Sequence, residues 1–143
     1  MFTQTVAFTF ILSALPVGSG YAQQCLHGPG ETPDQAARRR EAVTAARTIN
    51  NIQFNRPEAA RRVFLSHADL AASPFATKMP ESTSDTVRRM SLKPEDEVLP
   101  QWKLTVDVTQ IGYWFMIKDT SDPCGFAYIS NHNGVIFSAE PIR

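Results

Sequence analysis

The chain is short of the groups that most chemistry needs. Its 143 residues carry only two cysteines and three histidines, and its formal net charge is zero. A neutral balance argues against a generic nucleic-acid binder, which advertises itself by excess Lys and Arg. The cysteines, Cys25 and Cys124, form no CxxC pair, which removes the usual redox and zinc signatures. His27, His67 and His132 stand far apart and none has a partner at metal-ligand spacing. No P-loop, dinucleotide fingerprint or GxSxG elbow occurs. Glu95, Asp96 and Glu97 lack the alternating ligands and central Gly of a calcium loop, so they read as a solvated turn. No cofactor, metal site or catalytic residue is expected on these grounds.

Long apolar runs are missing too. The longest, residues 6–17 (VAFTFILSALPV), is well short of the ~20 residues a spanning helix requires. Pro16 and Gly18 interrupt it, and the small residues Gly20 and Ala22 stand three residues and one residue before the expected cut. That is the layout of a cleavable secretion signal over residues 1–22, although residues 1–5 contain neither Lys nor Arg. Gln24 before Cys25 argues against a lipoprotein. The expectation is an exported protein, periplasmic or extracellular, with 23–143 as a single domain of ordinary size and no transmembrane segment after cleavage. In an oxidising compartment, Cys25 and Cys124 are candidates for a disulfide, with two free thiols or an intermolecular link as alternatives.

What is present is well patterned. Thr32, Pro33 and Gln35 supply a cap, a first-turn proline and a capping box. The Ala-, Arg- and Glu-rich segment after them predicts a helix, with Ala42, Ala45, Ala46, Ile49 and Ile52 as its apolar stripe. Residues 55–65 suggest a second short helix. Residues 66–100, rich in Pro and Ser, read as loop with one helical turn near 85–90. Trp102, Leu104, Val106 and Val108 alternate with polar residues as a half-buried strand does. Segments 113–118, 124–130 and 135–139 read as three further strands, the last two joined by the turn Asn131-His132-Asn133-Gly134. The expected fold class is α+β, an N-terminal helix packed on a C-terminal four-stranded antiparallel meander.

Segments AARTINNIQ (45–53), HADLAASP (67–74) and FAYISNHNGVIFSAEP (126–141) resemble parts of the globular head of type IV pilins and pseudopilins. The resemblance implies a pilin-head-like fold. A pilin also carries a basic leader and a long apolar helix with a glutamate near its start, and this chain has neither. The resemblance therefore does not imply a filament subunit.

Three groups of residues are candidates for binding. Segment 113–118 (YWFMIK) is apolar on both faces, with Trp114 and Met116 opposite Tyr113, Phe115 and Ile117. One helix covers one face, and residues 56–90 are expected to cover the other; left uncovered, Trp114 and Met116 form a recognition patch. Arg38, Arg39 and Arg40 form a basic run expected to be solvated, available to an anionic partner. His132 lies in the hairpin turn, where a catalytic trio with Ser130 and Asp122 is the one enzymatic option. The reading favoured is a non-enzymatic binding module of the cell envelope whose partner is a protein or envelope glycan and not a nucleic acid. A small hydrolase using His132 and a pilus- or secretion-system-associated subunit are the alternatives.

Overall fold

The computed structural model describes residues 25–55, 63–77 and 83–140. The proposed signal, residues 1–22, lies outside them, as does most of the second helix expected over 55–65.

Helix α1 (Pro33–Phe54) begins as its sequence dictates. Thr32 Oγ1 accepts from Gln35 N, and Gln35 Oε1 accepts from Thr32 N in return. Ala42, Ala45, Ala46 and Ile49 are completely buried and Ile52 nearly so. A stripe mostly of alanine leaves little side chain to hold neighbouring elements away. From the last turn of α1, Gln53 spans the backbone of Leu65, accepting from its N–H at 3.0 Å and donating to its C=O at 2.8 Å.

Residues 63–100 are less irregular than the sequence suggests. Residues 63–66 are non-helical, and then come α2 (His67–Ala71), α3 (Pro74–Thr77) and α4 (Asp85–Arg88). Helix α2 opens with a capping box between Ser66 and Asp69, and α4 supplies the expected single turn. No helix among the described residues is long and apolar enough to cross a membrane.

Strands β1 (Trp102–Val108), β2 (Tyr113–Asp119), β3 (Ala127–Asn131) and β4 (Ile136–Ala139) form one antiparallel sheet in sequence order. Strand β3 starts later than the expected residue 124. Gly125, at φ +74, turns the chain there, its N–H donating to Asp122 O. Gly134, at φ +75, closes the β3–β4 hairpin, and a Cβ there would press within 3.1 Å of the Phe54 ring.

Register sets the two faces. Leu104, Ile117 and Tyr128 form one inward row, and Val106, Phe115, Ser130 and Ile136 the next. These residues, except Ser130, share a hydrophobic core with the buried stripe of α1 and with Leu70, Val87, Met90 and Leu92. The fold is thus α+β, with a helix and a four-stranded antiparallel sheet contributing to one core. A buried polar junction interrupts that core: Asn50 of α1 donates to Ser130 Oγ at 2.9 Å and accepts from the Tyr113 hydroxyl at 2.8 Å.

Candidate functional site

Side chains alternate along a strand, so burying Tyr113, Phe115 and Ile117 turns Trp114, Met116 and Lys118 to the opposite face. Across the sheet, Thr105, Met116, Ile129 and Phe137 line up as one outward row. Trp114 is 39% exposed and Phe137 56%, while Met116 and Ile129 are half-buried. The Trp114 indole N–H donates to Asp107 Oδ2 on β1 at 3.0 Å, which orients the ring. Coverage of this face by residues 56–90 was the expectation, and the described part of that segment does otherwise. Its buried apolar residues, Leu70, Val87 and Met90, go to the inward core instead. The physical reason is supply: α1 offers mostly alanine, so the inward face still needed larger apolar side chains to fill it.

Of the arginines, Arg40 is exposed but Arg38 and Arg39 are not simply solvated. Arg38 donates to Asp119 Oδ2 at 3.4 Å and to Ser121 Oγ at 3.3 Å. Arg39 Nε donates to both Glu31 oxygens, at 3.0 and 3.1 Å, a contact that raises its pKa. Both arginines belong to a network centred on His27, which the sequence presents only as part of a turn-rich lead-in. His27 Nδ1 is 2.8 Å from Glu31 Oε1, and Nε2 is 2.9 Å from Asp119 Oδ2. Its ring also packs on Phe126, with centroids 4.5 Å apart.

Burial works to raise the Asp119 carboxyl, but hydrogen bonds from Ser121 and His27 and the charge of Arg38 outweigh it, so the net shift is downward. Glu31 follows the same pattern: burial raises it, and Arg39 and His27 bring it below its ordinary value. Chemically this cluster is closed. Each ring nitrogen of His27 already faces a carboxylate, so neither is free to take a proton from a nucleophile.

The hairpin tip supports no catalytic trio. Ser130 is buried, its hydroxyl donating to Val135 O at 2.8 Å. His132 is exposed, its ring lying against Gly112, where an added Cβ would come within 2.6 Å of Nδ1. Asp122 precedes β3 and His132 follows it, so the strand separates them. Asp122 Oδ1 instead accepts from Leu26 N and Cys124 N. His67 opens α2, where burial holds its imidazole below the usual value. Among the described residues no group of three or more His, Cys, Asp or Glu could hold a metal ion. Cys25 and Cys124 are joined in a disulfide, their Cα atoms 5.3 Å apart.

Comparison with known protein families, characterised proteins and solved structures finds no match for this chain.

Proposed function

We propose that this chain is an exported, non-enzymatic binding module of the cell envelope, pilin-head-like in fold, which engages its partner through the outward face of the sheet. In this reading α1 lies across the inward face, and the outward face is left for recognition. The observation that carries it is the presence of Trp114 on β2 and Phe137 on β4 on one face, where Met116 and Ile129 on β2 and β3 are also apolar. Large aromatic and Met side chains are the ones enriched where protein surfaces meet. The Cys25–Cys124 disulfide fits an oxidising compartment such as the periplasm or the extracellular space. The separation of Ser130, His132 and Asp122 weighs against the hydrolase reading that rests on them.

Two measurements test this. Intact mass of the protein recovered from its own cells should match a chain beginning at Gln23; retention of Met1 would overturn export by a cleaved signal. Crosslinking capture from the same envelope should lose its specific partner when Trp114 is replaced by Ala. An unchanged captured set, with the variant folded, would retire the outward face as the binding surface.

A further inference from the structure

The outward face carries a feature that its own fold does not use. Lys103 and Lys118 are direct cross-strand partners, both exposed on that face. Like charges placed directly opposite each other repel and cost stability. Neither lysine makes an ion pair with a described carboxylate. The pair borders a cavity of about 390 Å³ lined also by Thr105, Met116, Thr120 and Pro123. The Lys118 side chain lies over Gly125, where a Cβ would sit 3.7 Å from its Cε and 3.9 Å from its Nζ.

Two aspartates also border the cavity, Asp119 and Asp122. The Asp119 carboxylate is engaged by His27 and Ser121. Asp122 Oδ1 accepts from Leu26 N and Cys124 N, and its Oδ2 is sealed from solvent. The Thr120 hydroxyl already donates to Gln101 O at 3.1 Å. What the cavity offers an anionic visitor is therefore two ammonium groups, the Thr105 hydroxyl and the edge of an apolar row.

We propose that this face binds an extended acidic segment of a partner protein, with a carboxylate between Lys103 and Lys118 and apolar side chains over Met116, Ile129 and Phe137. This rests on the binding-module reading and names the chemistry of its partner. Charge complementarity selects an anion. The neighbouring row selects a polypeptide over a glycan: Thr105 is its only hydroxyl, whereas a sugar demands several hydrogen-bonding groups. Spacing agrees at the step from Lys118 to Met116, two residues and so about 7 Å along β2, the interval at which side chains repeat on one side of an extended peptide. Ile129 and Phe137 stand beside Met116 on the next two strands. An anionic membrane fits less well, since Asp107 at the far end of the face would be repelled by it.

The test is selection from a random peptide display library on the disulfide-intact chain, run beside the Lys118→Glu variant and the Lys103→Glu/Lys118→Glu variant. Circular dichroism checks the fold of each, and the single variant should keep it, because it replaces a repulsive pair with an attractive one. Wild type should enrich peptides with Asp or Glu close to large apolar residues, and those peptides should bind either variant about tenfold more weakly or worse. The double variant should instead enrich Lys or Arg. Peptides without acid that nevertheless lose binding on Phe137→Ser would overturn the acidic partner and keep the binding face. No enrichment at all would remove both. Binding confined to oligogalacturonate or phosphatidylglycerol vesicles would overturn the polypeptide.

Discussion

His27 Nε2 and Asp119 Oδ2 lie 2.9 Å apart although 92 residues separate them in sequence, and their side chains are 1% and 0% exposed. The contact sits beside the Cys25–Cys124 disulfide, so the start of the described chain is held to the end of β2 and the loop after it by sulfur and by a buried polar contact together.

Replacing His27 with Ala leaves the Asp119 carboxylate buried with fewer partners. Removing one member of a buried pair typically costs about 3–5 kcal/mol, and Ser121 and Arg38 remain to soften the loss. We expect about 3 kcal/mol by urea unfolding. A double-mutant cycle with Asp119→Ala should show coupling above about 1 kcal/mol; additive effects would mean the contact contributes nothing.

Acid should unfold the protein through the same cluster. The Asp119 and Glu31 carboxyls titrate below their ordinary values in the folded state. Their stabilising contribution is then complete above the unfolded values of about 3.9 and 4.3, and is lost as pH falls through the lower folded ones. Unfolding free energy should decline steeply below about pH 4, and His27→Ala should flatten that decline. An equal acid slope in the variant would contradict this origin.

Reduction should be costly. The disulfide joins residues separated by 99 positions, and closing a loop of that length contributes about 4.7 kcal/mol in the chain-entropy model. Calorimetry of oxidised chain against the Cys25→Ser/Cys124→Ser double variant measures it. A difference under about 1 kcal/mol would show that the bridge is dispensable.

Asn50 joins α1 to the sheet by donating to Ser130 Oγ and Gly134 O and accepting from Tyr113. Asn50→Ala strands buried partners and should cost about 2–3 kcal/mol, since each unsatisfied buried group costs about 1–3. Thr44→Ala, on the same helix with its hydroxyl bonded only to Arg40 O, is the matched control and should change little.

Local chemistry made much of the fold legible in the sequence. The cap of α1 reads directly from Thr32, Pro33 and Gln35, its stripe from residue spacing, and β1 and β2 from alternation. Helix α2 is not legible from periodicity because five residues show none, although Ser66 followed by Asp69 is a usable capping signal. The apolar run starts β3 too early, at 124, because Gly125 bends the chain inside it. The His27 cluster is illegible because its buried partner Asp119 lies 92 residues away, while Glu31, four residues on, reads as part of the turn before α1. The same distance hides the ion pair of Arg38 with Asp119, whereas Arg39 and Glu31 stand only eight residues apart across the start of α1. Trp114 and Met116 were correctly opposed to Tyr113 and Phe115, but which face would be covered depended on where Leu70, Val87 and Met90 pack, which no pattern in the sequence states.

The central claim is that one face of the sheet carries the core and the other is open for a partner, and urea unfolding of the Trp114→Ser/Phe137→Ser double variant tests it most directly. Open-face side chains contribute through cross-strand contacts of about 0.2–1 kcal/mol each, so the account predicts a total loss below about 2 kcal/mol with native circular dichroism. A loss of about 6 kcal/mol or more, the sum expected for two aromatic truncations in a packed interior, would contradict it.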